Sequence, residues 1–134
     1  MFAGEHWTLD PTLADDPGMH QITGVDEPGM SGSPARVHTG GNSGHQAIGL
    51  AVLWGASRIL LLGFDMAATR GRLHWHADHN DKTLGNPCDF AAWRLRLAQA
   101  MPDLRRFGVE VINCSRETQL HCFERRSLAH ALAA

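Results

Sequence analysis

A glycine-rich turn, an apolar helical segment and a run of aliphatic residues follow one another in the first half of the chain, and this order constrains the fold most. The turn Gly40–Gly44 contains Asn42 and Ser43, whose side chains can accept hydrogen bonds from the first N–H groups of a helix. The pattern predicts a largely buried helix over about 44–54. The run Arg58–Gly63 then indicates a central parallel strand that is covered on both faces.

The sequence on either side extends this alternation. A short strand is predicted at Arg36–Thr39, and a long helix from about Asp89, which Pro102 is expected to break or kink. A strand at Val109–Ile112 and a helix at Leu128–Ala133 complete the order. Alternating strands and helices are typical of α/β folds with parallel strands and right-handed crossovers. We therefore expect a small three-layer α/β domain with a Rossmann-like parallel sheet.

The length of 134 residues suits a single domain over 1–134. Prolines and glycines interrupt residues 1–35, so we expect an irregular N-terminal segment in which only His20–Val25 resembles a strand. The α/β core is then expected over 36–134.

Charge and composition exclude several classes of partner. Lys and Arg number 12 against 14 Asp and Glu, a formal net charge of −2, so neither nucleic acid nor an anionic membrane is an expected partner. No apolar run approaches the length of a bilayer span, and the N-terminus has no signal-peptide pattern. The number and spacing of the three cysteines do not indicate a disulfide framework, so we expect the protein to be located in the reducing cytoplasm.

Polar residues follow the predicted strands where α/β proteins bind ligands, at the carboxyl ends. The first group is Gly40–Gly44, which is either a phosphate site at a helix N-terminus or an ordinary capped turn. The second is Asp65, which can bond a ribose hydroxyl, hold a metal, act as a base or cap a turn. The third is Asn113–Ser115. We expect the three groups to converge on one site.

A histidine-rich segment is the other candidate. Its possible metal ligands are His74, His76, Asp78 and His79. In an extended chain the first three point to one face, and three such ligands with a water make an open catalytic zinc site. Two other interpretations stay open: a single histidine that acts as an acid or base, or a solvated loop.

Several of these segments together resemble one known group. The matching pieces are Gly40–Ala47, Leu50–Ala51, Gly55–Ala56 and Arg58–Met66, followed by His74–His79, Val111–Ser115, Leu120 and Phe123. They resemble phage and prophage proteins with a Rossmann-like fold, which are similar to the bacterial sialyltransferases of glycosyltransferase family forty-two and to archaeal pterin diphosphokinase-like domains. The similarity spans about residues 36–130.

The resemblance implies a site for a nucleotide or nucleotide sugar that requires no metal. By analogy, Asn42, Ser43 and Gly44 hold the phosphates. With Gly40, Gly41 and Asn113 from the strand-end groups, they make up the expected nucleotide-binding residues. The resemblance places Asp65 near the sugar or base, and one of His74, His76 or His79 as the catalytic base. Such proteins usually begin with a strand and a nucleotide-holding loop, and we expect this chain to lack that first strand. The sialyltransferases also use tyrosines near the leaving phosphate, whereas this chain has none.

A shorter resemblance concerns His74–His79 alone. The order of residues is that of the H-x-H-x-D-H motif of the metallo-β-lactamase superfamily, whose members bind one or two zinc ions. There the motif directly follows a strand, but here ten residues, Phe64–Leu73, stand between them. His121 and His130 are the remaining candidates for distant ligands. This resemblance implies a zinc-dependent hydrolase.

The expected function is therefore nucleotide or nucleotide-sugar binding by a glycosyltransferase-like protein. The alternatives are the zinc hydrolase and a non-catalytic, truncated phage protein. Because a sheet without its usual first strand exposes an edge or an apolar face, a homodimer is also expected.

Overall fold

Parallel strands and helices alternate in an α/β arrangement. The computed structural model describes residues 4–68 and 88–133. Within these residues the helices are α1 (Ser43–Leu53), α2 (Phe90–Arg106) and α3 (Leu128–Ala133). The strands are β1 (His6–Thr8), β2 (Met19–Gln21), β3 (Thr23–Val25), β4 (Arg36–His38), β5 (Arg58–Leu61), β6 (Glu110–Asn113) and β7 (Glu124–Arg125).

All strand pairs in the described part of the chain are parallel. β1 pairs with β2, and β3 pairs with β4. β5, β6 and β7 form a separate sheet in that order, with Arg58 opposite Glu110 and Ile112 opposite Glu124. The sequence predicted a central strand at Arg58–Gly63, which contains β5, but β6 occupies the middle of this three-stranded sheet. Regular pairing of β5 also stops at Leu61, because Leu62 has left the sheet and is 58% exposed.

The N-terminal segment is more regular than its composition predicts. The expected strand at His20–Val25 is present as β2 and β3, which Ile22 separates, but β1 was not expected. The backbone of Ile22 continues the pairing, because its N–H donates to the carbonyl oxygen of Thr8. Gly18 and Gly29 lie between strands and have positive φ angles, whereas Gly24 lies within β3. Pairing with distant strands therefore overrides the weak local pattern.

α1 begins where the sequence predicts but is less buried. The Asn42 side chain caps it, since its Oδ1 accepts a hydrogen bond from the His45 N–H at 2.9 Å. The buried face is narrow and contains Ile48 and Gly49, whereas Trp54 is 59% exposed. The small size of Gly49 matters here, because an added Cβ would lie 2.6 Å from a methyl group of Val37 on β4.

α2 runs without a break through Pro102, so of the predicted break or kink the break is wrong. Asp89 caps the helix by accepting a hydrogen bond from the Ala92 N–H at 2.9 Å. Leu97 and Leu104 are buried on the two sides of Pro102. Their packing holds the helix together across the one hydrogen bond that proline cannot make.

The two faces of the β5–β6 pair pack against different helices. Leu61 and Val111 belong to the main core with buried residues of α1 and α2. Ile112 and Leu60 pack on the other face with Ala131 of α3. This alternation follows from the period of two along a strand. Among the described helices, none has the length and apolarity needed to cross a bilayer.

The packing of α2 gives a matched pair of test substitutions. Leu97 is fully buried and Leu95 is 59% exposed on the same helix. We expect Leu97→Ala to lower the free energy of unfolding by about 2–5 kcal/mol, because it leaves a cavity in the core. Leu95→Ala should change it by less than about 0.5 kcal/mol. Urea unfolding measures both values, and equal losses would contradict the assigned face of the helix.

Candidate functional site

The carboxyl ends of β5, β6 and β7 surround a cavity of about 980 Å³, which we call the strand-end cavity. Its wall consists of Leu62, Gly63, Asp65, Cys114, Ser115, Arg116, Glu117, Arg125, Arg126, Ser127 and Leu128. These residues come from the segments that follow each of the three parallel strands and from the first turn of α3. Ligands of open α/β sheets bind at this end of the strands. The cavity is also within the size range of small-molecule sites.

Hydrogen bonds join the segment after β5 to the loop after β6. The Phe64 N–H donates to Ser115 Oγ at 2.8 Å, and Thr118 Oγ1 donates to the Phe64 carbonyl oxygen at 2.6 Å. The Gln119 N–H then donates to the carbonyl oxygen of Asp65 at 2.8 Å. The backbone of Phe64 is thus held on both its polar atoms, which fixes Asp65 at the edge of the cavity.

Asn113 organises this loop from inside. Its side chain is fully buried, and its Oδ1 accepts a hydrogen bond from the Ser115 N–H at 3.0 Å. Its Nδ2 donates to Thr118 Oγ1 at 3.2 Å and to the Leu120 carbonyl oxygen at 3.3 Å. Asn113 is not part of the cavity wall. The amide that the sequence suggested as a ligand contact therefore positions the loop that carries Ser115.

The glycine turn Gly40–Gly44 has structural reasons for its composition. Gly40 and Gly41 have φ angles of 54° and 73°, which glycine adopts without strain. An added Cβ at Gly40 would overlap the imidazole ring of His45. The Asn42 amide is used within the turn, because its Nδ2 donates to the Gly40 carbonyl oxygen and its Oδ1 caps α1.

The glycine turn contacts the segment after β5 through one aromatic ring. A Cβ at Gly44 would lie 2.8 Å from the ring of Phe64, so only glycine allows this approach. The three polar groups that the sequence places at strand ends are therefore linked through Phe64. The turn itself does not belong to the wall of the strand-end cavity, and Ser43 is exposed beside it.

Three arginines give the cavity positive charge, and the sequence pattern did not single them out for this role. Arg125 donates to the carbonyl oxygens of Ser115 and Arg116, and Arg126 pairs with Glu124 and Glu110. Arg116 is exposed, and no residue in the described ranges forms an ion pair with its guanidinium group. The available signal was position, because Arg116 and Arg126 follow strands of the parallel sheet and Arg125 ends one.

His45 is a buried polar residue beside the glycine turn. Its Nδ1 lies 3.0 Å from the carbonyl oxygen of His38, and its Nε2 is buried with no hydrogen-bond partner among residues 4–68 and 88–133. Burial lowers the pKa of His45 below its ordinary value; the hydrogen bond to the His38 carbonyl oxygen partly offsets this decrease, and charge repulsion from His38 and Arg96 adds to it. The sequence analysis did not single out His45, which lies within an otherwise apolar helical pattern.

The proposed metal ligands His74, His76, Asp78 and His79 lie outside the described residues. Within the ranges that the structure describes, no group of His, Cys, Asp or Glu side chains is arranged to hold a metal ion. His121 and His130 are both exposed.

The bonds around Phe64 predict a specific loss of stability. Thr118→Val keeps the shape of the side chain but removes the hydroxyl group that binds the Phe64 carbonyl oxygen and the Leu120 N–H. We expect a loss of about 1–3 kcal/mol in the free energy of unfolding. The same substitution at Thr23, which is exposed on β3, should cost less than about 0.5 kcal/mol. Comparable urea-unfolding values for the two variants would disprove the role of Thr118.

Comparison with known proteins adds no relative: no family model matches this chain, and no curated protein or solved structure shows significant similarity to it.

Proposed function

We propose that this protein binds a nucleotide or nucleotide sugar in the strand-end cavity of a Rossmann-like sheet. The observation that supports the proposal is the wall of this cavity, where Asp65 and Arg116 follow neighbouring parallel strands and the Arg116 guanidinium group has no ion-pair partner among residues 4–68 and 88–133. A cation and a carboxylate at the same edge suit a ligand with a phosphate at one end and hydroxyl groups at the other.

Each of these side chains has a distinct role in the proposal. Arg116 binds a phosphate, since a guanidinium group offers several N–H donors and a fixed positive charge. Asp65 accepts a hydrogen bond from a sugar hydroxyl group. Ser115 and Asn113 hold the loop in place. The glycine turn, with Ser43 exposed at the first residue of α1, is a second candidate for phosphate binding.

The resemblance to family forty-two sialyltransferases extends the proposal to sugar transfer. In that reaction the bond between the sugar and the phosphate breaks while the acceptor oxygen bonds to the sugar carbon. A histidine among His74, His76 and His79 takes the proton of the acceptor hydroxyl group. The phosphate leaves with the bonding electrons, and Arg116 stabilises the negative charge that develops on it.

Calorimetric titration of nucleosides and their monophosphates tests the phosphate contact directly. We expect Arg116→Gln to weaken binding of the monophosphates at least about tenfold, because a hydrogen bond to a charged group is worth about 1.5–3 kcal/mol. Affinity for the nucleosides should not change. Arg105→Gln removes the same charge from an exposed position on α2, outside the cavity wall, and should bind like the unmodified protein.

Ser43→Ala reports on the glycine turn in the same titration. It is preferable to Asn42→Ala, which would remove the cap of α1 and cost about 1 kcal/mol of stability. A loss of monophosphate affinity in Ser43→Ala alone would assign the phosphate to the turn rather than to Arg116. If no monophosphate or diphosphate binds the unmodified protein, the proposed function is wrong.

A further inference from the structure

The side chain of His45 packs against the glycine turn. His45 is the third residue of α1, its backbone N–H is bonded to the Asn42 side chain, and its ring lies against the Cα of Gly40. Its Nδ1 is 3.0 Å from the carbonyl oxygen of His38, at the end of β4. One imidazole thus contacts both ends of the chain reversal that leads from β4 into α1.

This geometry requires the neutral ring. A carbonyl oxygen can only accept, so Nδ1 carries the hydrogen atom and Nε2 is left with a lone pair. The Nε2 atom is buried, and no acceptor for a second hydrogen atom lies near it in the described part of the chain. Protonation would therefore create a buried donor with no partner and a buried charge, both of which are unfavourable.

The surrounding charges make protonation of His45 still less favourable. His38 on β4 and the Arg96 guanidinium group on α2 both repel a positive charge on His45. The nearby carboxylates belong to other partners. Glu27 lies 3.6 Å from His38 Nε2, and Asp26 pairs with Arg96 at 3.0 Å. The N-terminal end of α1 also carries a positive partial charge from its free N–H groups.

We propose that His45 is a proton-sensitive latch, whose neutral ring keeps the glycine turn closed and whose protonation opens it. The opened turn loses the bonds around Asn42 and the contact between Gly44 and Phe64. If the turn takes part in phosphate binding, which rests on the proposed function, acidification also releases the ligand.

The sign of the pH dependence follows from linkage. The pKa of His45 is lowered in the closed turn, while an opened, solvated histidine titrates near 6.5. The open form therefore binds protons more tightly. Above pH 6.5 the closed form has its full stability, and below this value opening becomes more favourable by up to about tenfold per pH unit.

Amide hydrogen exchange between pH 7.5 and pH 5.5, corrected for intrinsic rates, measures the opening directly. We expect protection of the His45 and Gln46 amides to be lower at pH 5.5 than at pH 7.5. The Cys114 amide, which bonds to Leu61 in the sheet, should keep its protection. His45→Asn retains a donor near the position of Nδ1 but does not titrate, so its protection should not depend on pH. The control His121→Asn changes an exposed histidine and should behave like the unmodified protein.

Three results would overturn the latch. They are pH-independent protection in the unmodified protein, an unchanged pH dependence in His45→Asn, and a pH dependence that disappears instead in His38→Asn. The first requires no variant, so the test holds even if a substitution prevents folding.

Sulfate serves as the probe for ligand release, because its charge is constant over this pH range. We expect calorimetry to show weaker sulfate binding at pH 5.5 than at pH 7.5 in the unmodified protein, and no such weakening in His45→Asn. If the exchange data support the latch but sulfate binds at neither pH, the latch stands and the phosphate role of the turn is wrong. Sulfate binding that is equal at both pH values would overturn ligand release by the latch.

Discussion

The candidate site depends on how the backbone of Phe64 is held between two side chains of the neighbouring loop. Ser115 accepts its N–H, and Thr118 donates to its carbonyl oxygen. From within the core, Asn113 accepts a hydrogen bond from the Ser115 N–H and donates one to Thr118 Oγ1. Together with the bond from the Gln119 N–H to the Asp65 carbonyl oxygen, these bonds replace the strand pairing that ends at Leu61. A polar network at the end of a sheet therefore creates the cavity, rather than the apolar core beneath it.

Much of the α/β framework could be predicted from the sequence. The cap at Asn42, the strand at Glu110–Asn113 and the final helix all follow from local signals that pack as expected. The burial of α1 and the place of β5 within its sheet could not be predicted, because strand order and helix contact depend on distant partners. The N-terminal strands carry weak local patterns and form through pairing with neighbours.

The sequence placed two groups of the cavity wall, Asp65 and Ser115, at strand ends, whereas the glycine turn and Asn113 lie outside that wall. The sequence located the three strand ends, and contacts through Phe64 bring them together. It could not separate a side chain that lines the cavity from one that supports a loop, which is the difference between Arg116 and Asn113. Both follow or end the same strand, and only the direction of the side chain distinguishes them. The buried His45 was missed for a related reason, since its burial arises from its contact with Gly40.

The most direct test of the account is an amide NMR titration with a panel of common nucleoside monophosphates. The account predicts that the largest shift changes fall in the walls of the strand-end cavity, at residues 62–65, 114–117 and 125–128. Changes confined to other surfaces, such as the smaller cavity beside Trp7 and Leu50, or no changes with any nucleotide, would contradict it.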